Sequence, residues 1–192
     1  VIALNSEDSD IMPGVETVSL IVRHVRTVLQ QKASMLSLIG NEMYTQQIPN
    51  FYNATVGQHM RHSVQHFEKI LLRPAGVSDT EVADYDHRSR DNDIEVNKEA
   101  ALSAIKGLQE ALANDVSSRF DEKVTVSFMG DSQGNSYTLD STYGRELSFC
   151  AHHSTHHLAM TQLMMKELGL TLLDEDIGKA NSTVENEKKT NQ

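Results

Sequence analysis

A single cysteine, Cys150, in 192 residues excludes an intramolecular disulfide framework. Long apolar runs are missing too, so no stretch is expected to cross a bilayer as a helix. Positive charge is scarce. Seventeen Lys and Arg stand against twenty-seven Asp and Glu, giving a net charge of −10 and a pI near 5.3. That balance argues against nucleic acid and anionic membranes as partners. Tryptophan is absent and hydrophobic residues make up 39%, yet a chain of this length is expected to fold as one domain, residues 1–192, with a full core. Internal repeats and low-complexity domains are lacking as well.

Histidine is what the chain has in plenty. It holds nine, four of them in His152-His153-Ser154-Thr155-His156-His157. This run lies inside Arg145 to Leu170, an apolar-periodic segment with no Pro and no Gly before Gly169, which predicts a helix. Residues four apart share a helix face, so His153 and His157, or His152 and His156, can aim two imidazoles at one point. At about 100° per residue, Cys150, Met160, Met164 and Leu168 share an arc with His153 and His157, while His156 flanks it and His152 turns away. The inward pair is therefore His153 and His157. A lone helix histidine on an apolar face is ordinarily a hydrogen-bonded core residue; two at this spacing favour a metal ligand pair. Cys150, three residues before His153, is either a thiolate ligand or a small buried hydrophobe, and free cysteine favours the second.

Two ligands do not make a site, and a third has a source. Thr55 reads as the N-cap of a helix running to about Leu72, stopped by Arg73-Pro74-Ala75-Gly76. His59, His62 and His66 form one stripe on it, flanking the apolar face of Val56, Met60, Val64, Phe67 and Leu71. Helical geometry supplies one of the three without choosing among them, with His59 slightly the most inward.

The remaining organisation is simple. A polar arm, residues 1–15, precedes a first helix near Thr17 to Leu38, and a third helix is expected from Asp93 to Ser117. Val124 to Met129 and Ser136 to Leu139 flank a Gly-rich turn and predict a β-hairpin. The connection from Arg73 to Asn92 is long enough to suggest a functional loop, and residues 174–192 read as a polar, frayed tail. Asn53-Ala54-Thr55 and Asn181-Ser182-Thr183 match glycosylation acceptors, triplets that chance also produces. The first residue, Val1, is not Met, which suggests processing or truncation upstream. Cytoplasm is the expected compartment.

Taken in order, several of these segments resemble the DinB/YfiT-like superfamily. The resemblance is carried by Thr55-Val56-Gly57 with His59 and His62, by Tyr85-Asp86-His87-Arg88-Ser89-Arg90-Asp91, and by Gly144-Arg145-Glu146-Leu147-Ser148-Phe149. It continues through His153 to His157 and through Asp176 to Thr183, so it covers about Thr17 to Thr183. It implies an all-α four-helix bundle with the small β-hairpin between helices three and four. It also implies a divalent metal, zinc or nickel before iron, held by His62, His153 and His157. His59, His66 and His156 then become residues around the metal, His59 and His66 with a part in catalysis. Leu158 stands where the superfamily often has Arg or another polar group.

Three neutral imidazoles leave coordination positions open, as in catalytic rather than closed structural sites. The resemblance implies a small-thiol S-transferase, with a metal-dependent hydrolase or a non-catalytic metal sensor as alternatives and a structural bundle with relic histidines as a third class. Arg88 and Arg90 are candidates to clamp a substrate carboxylate, or else pair with Asp84, Asp86 and Asp91 to fix the loop. The partner is a small molecule, thiol or otherwise, and a homodimer is compatible with the sequence.

Overall fold

The computed structural model describes residues 13–76, 82–87, 93–114, 117–170 and 176–190, with backbone alone at 13–15 and 117. The chain is mainly helical with one small sheet. In order, α1 spans Pro13–Ser37, α2 Asn41–Thr45, α3 Val56–Leu71, β1 Ala83–Asp84, α4 Asp93–Val96 and α5 Lys98–Ala113. Then come β2 Lys123–Met129, β3 Ser136–Thr142, α6 Tyr143–Glu167 and α7 Asn181–Thr190. Two single turns of 3₁₀ helix, Pro49–Phe51 and Ser117–Arg119, serve as connectors.

Both α1 and α3 pack on α5 and on α6. The sequence explains each contact face. Along α1 the buried positions are Val25, Val28, Leu29, Lys32, Met35 and Leu36, a three-and-four spacing that keeps one stripe inward. On α3 the buried stripe includes Val56, Met60, Val64, Phe67 and Leu71. Thr55 caps this helix. Its hydroxyl accepts from Gln58 N–H at 3.1 Å, while its own N–H donates to Gln58 Oε1 at 3.1 Å, so two orphan donors are satisfied at once. Gly57 is required for a separate reason: a Cβ there would collide with the backbone carbonyl of Glu95 in α4. That close approach lets Tyr44 donate to the Ile94 carbonyl and Arg61 pair with Glu95.

Several boundaries differ from the expected ones. The third predicted helix is broken at Asn97, whose extended backbone (φ −129°, ψ 109°) ends α4 and whose side chain caps Glu99 and Ala100 of α5; an interior Asn here acts as an N-cap. The first helix starts at Pro13, inside the segment expected to be a polar arm, because Pro is well tolerated in a helix's first turn. The tail expected to fray carries α7, where Lys179 bridges Asp176 and Glu187 and Lys189 pairs with Glu185. Ile177 is buried, and Gly178, at φ +77°, sits so close to Ala159 that a Cβ would strike α6. The hairpin of β2 and β3 gains a third strand: β1 pairs parallel to β2, with Ala83 opposite Val126. This pairing delivers Tyr85 to the interior, its N–H bonded to the Ser127 carbonyl at 3.3 Å. Among the described residues no helix is long and apolar enough to cross a membrane.

Candidate metal centre

Where α3 faces α6, the imidazoles of His62, His153 and His157 converge. One ring nitrogen from each lies within 4.8 Å of the other two. His62 Nε2 is 2.9 Å and His157 Nε2 is 3.2 Å from His153 Nε2. The helix phase explains the arrangement: Cys150, Ser154, His157 and Thr161 are buried along α6 and His153 half-buried, whereas His152 and His156 are exposed.

Hydrogen bonding alone does not account for this cluster. At each nitrogen a neutral imidazole has either one in-plane N–H or one in-plane lone pair. His153 Nε2 meets two nitrogens at short range and can form a good bond with one. A cation between them would instead engage three lone pairs. Tetrahedral zinc with Zn–N bonds of about 2.05 Å sets its nitrogens roughly 3.3 Å apart, close to the spacings here. The donor set therefore fits a divalent ion. Protonation is no alternative at neutral pH for His157, whose pKa burial drives down to about 2, with the neighbouring His153 and Lys32 pushing the same way.

The surrounding residues fix these rings. His59 Nδ1 lies 3.1 Å from His157 Nδ1. If His157 donates there, its Nε2 is left with a lone pair facing the cluster, the tautomer a ligand needs. His66 is 4% exposed and its Nδ1–H donates to the His62 carbonyl at 2.8 Å. Its ring stacks on Tyr85 (4.9 Å, 18°) and lies 4.5 Å from the His153 ring. Burial lowers the His66 pKa to about 4 and that of His59 below the usual histidine value. Phe149 stacks on His153 (5.6 Å, 16°) and lines an open cavity of about 510 Å³ at the start of α6, with Arg145, Ile21 and Phe120.

Cys150 is not part of the converging set. Its thiol is fully buried, donates to the His66 carbonyl at 3.4 Å and is pushed up to about 12 by desolvation, as befits a small core residue. Tyr85 is buried as well, and its hydroxyl donates to Glu146 Oε2 at 2.8 Å. His156 lies outside the cluster, its ring 5.4 Å from that of His157. Arg88 and Arg90 lie outside the described residues.

Two residues of this neighbourhood carry no role in the expectations above, Glu146 standing only within the Gly144 to Phe149 segment and Lys32 in no motif. Glu146 is fully buried and also accepts from Ser141 and Arg145, each at 2.6 Å. Lys32 is fully buried too, with its Nζ donating to Ser63 Oγ at 2.5 Å. A readable signal existed for Lys32: it occupies an inward position of the α1 apolar stripe, where a charged residue is rare.

No known family profile matches the chain, and no solved structure matches it. A curated fungal protein, FK506-binding protein 5 of Rhizopus delemar, is 32% identical over 125 residues, 65% of this chain. The chain spans less than a third of that protein, 31% of its length.

Proposed function

We propose that this chain is a metal-dependent enzyme of the DinB/YfiT-like type, in which α1, α3, α5 and α6 form the four-helix bundle and His62, His153 and His157 hold zinc or nickel. The observation carrying this reading is the convergence of three imidazole nitrogens from two helices at a spacing that their own hydrogen bonds do not explain. When bound, such an ion supplies Lewis acidity, lowering the pKa of a coordinated thiol or water.

The chain's residues divide the remaining tasks. His59 holds the His157 ring in the ligand tautomer. Tyr85 and Phe149 hold His66 and His153 in place by stacking. The cavity beside Phe149, which Ile21, Phe120 and Arg145 also line, is the nearest space described for the rest of a substrate. Three neutral imidazoles leave coordination positions open, which favours a catalytic site over a closed sensor. A small-thiol S-transferase is the leading activity and a hydrolase the alternative. FK506 binding remains what its name says of the fungal relative.

Elemental analysis of untagged protein tests the site. Wild type is expected to carry roughly one ion per chain, and the His153→Ala/His157→Ala double variant essentially none. Equal, sub-stoichiometric metal in both would end the proposal. Glutathione, bacillithiol, mycothiol and cysteine assayed against a chlorinated aromatic acceptor then decide the reaction; turnover of an ester or amide panel alone would replace transfer with hydrolysis.

A further inference from the structure

Lys32 presents an electrostatic problem that the three histidines make worse. Its side chain is fully buried, with Ser63 Oγ as its hydrogen-bond partner, and among the described residues no carboxylate pairs with it. Ser63 passes the interaction on to the backbone, donating to the His59 or Met60 carbonyl at 3.0 or 3.2 Å. Ser63 directly follows His62 on α3, so the amine is tied to the helix that carries His59, His62 and His66. Burial without a counter-ion is expensive for an ammonium and pulls its pKa down to about 7, so an anion beside it is what would hold its charge. A divalent ion on the histidines adds two further positive charges to the same interior, and all three imidazole ligands are neutral.

We propose that the open position of this centre is built for an anionic ligand, a thiolate or carboxylate of the substrate, with Lys32 as the buried counter-charge that selects it over a neutral one. This rests on the metal reading above and deepens it by naming the ligand's charge. Lys32 need not touch the anion: in an interior of low dielectric its charge acts across several ångströms. Methionine of similar length and shape would satisfy the α1 stripe equally well, so packing gives no reason for an amine at this point. Lys32 is a positioning residue, acting through the field it imposes.

The test compares an anion with a neutral ligand on cobalt-loaded protein, followed by the visible spectrum of the metal. Azide and imidazole are titrated into wild type, Lys32→Met and Lys32→Gln, with cobalt content and thermal unfolding measured for each. Lys32→Gln can keep a hydrogen bond to Ser63 without the charge. Both variants are expected to keep their cobalt, to bind azide about tenfold more weakly and to bind imidazole as wild type does. Equal azide affinity in wild type and both variants overturns the role of Lys32 and leaves the metal reading standing, as does a parallel loss of azide and imidazole binding, which marks a packing effect. Failure of wild type to hold cobalt overturns both.

Discussion

Two polar clusters lie along α6 within three turns of each other, and they differ in how their hydrogen bonds balance. Near its start, Glu146 is fully buried, yet Tyr85, Ser141 and Arg145 donate to its two oxygens, and Cys150 sits beside the Tyr85 hydroxyl. Each donor there has an acceptor. Further along, His62, His153 and His157 bring three like atoms together, and His153 Nε2 faces two neighbours with one site to offer. A balanced buried network rigidifies a fold. An unbalanced cluster of lone pairs is the arrangement a cation completes. The contrast teaches that burial of polar side chains does not itself mark a functional site; the mismatch of donors and acceptors does.

Breaking the balanced cluster should give the largest stability effect. Glu146→Ala removes the acceptor for a buried tyrosine hydroxyl and two further donors, and is expected to cost roughly 4 kcal/mol, read by urea unfolding. Metal affinity should change little, since Glu146 is not among the converging ligands. A loss of metal equal to that of the ligand variants would show that the two clusters act as one.

The pH dependence of the metal-free protein sharpens the contrast, because the clusters should fail at opposite ends. The folded pKa of His66 is lowered to about 4 from an ordinary 6.5. The unfolded chain therefore takes up its proton first, and stability is lost as pH falls from 6.5 towards 4, by roughly 3 kcal/mol. The folded pKa of Cys150 is raised to about 12 from 9, so the unfolded chain loses its proton first and stability declines as pH rises above 9. Denaturant midpoints measured across pH for wild type, His66→Phe and Cys150→Ala would show His66→Phe making the acid limb shallower, with His157 supplying the rest of it, and Cys150→Ala making the alkaline limb shallower. An acid limb unchanged by His66→Phe would remove that residue from the account.

The smallest effect concerns the edge of the histidine cluster. His59→Ala leaves all three proposed ligands in place but removes the partner of His157 Nδ1, and should weaken metal binding about tenfold, roughly 1.4 kcal/mol. Competition with a chromophoric chelator measures it. His59→Gln, able to accept at the same position, should recover most of the loss; recovery by His59→Leu as well would mean that His59 serves only as packing.

How much of this was legible beforehand depends on the range of the interaction. Thr55 as an N-cap and the inward phase of His153 and His157 follow from spacing within one helix, and both are found in place. The break at Asn97 was missed because helical periodicity continues on both sides of it, and a capping side chain acts over three residues rather than eleven. The two-residue strand β1 is too short for alternation to show, and it exists because β2 is there to pair with it. Cys150 could have been a ligand or a core residue; the His66 carbonyl and the Tyr85 hydroxyl decide for the core.

The sequence by itself determined the helices that carry the chemistry, their caps and the face each histidine occupies, because these depend on neighbours a few residues away. Which of His59, His62 and His66 meets the α6 pair depends on the relative rotation of two helices about ninety positions apart in the chain, set by Gly57 against Glu95, by the stripe along α1 and by Tyr85 stacked on His66. Of the three candidates, tertiary packing brought His62 to the α6 pair, set His59 against the His157 ring and bonded His66 to the backbone of its own helix. It also placed beside them an amine that no carboxylate among the described residues pairs with, a feature of energy rather than of pattern.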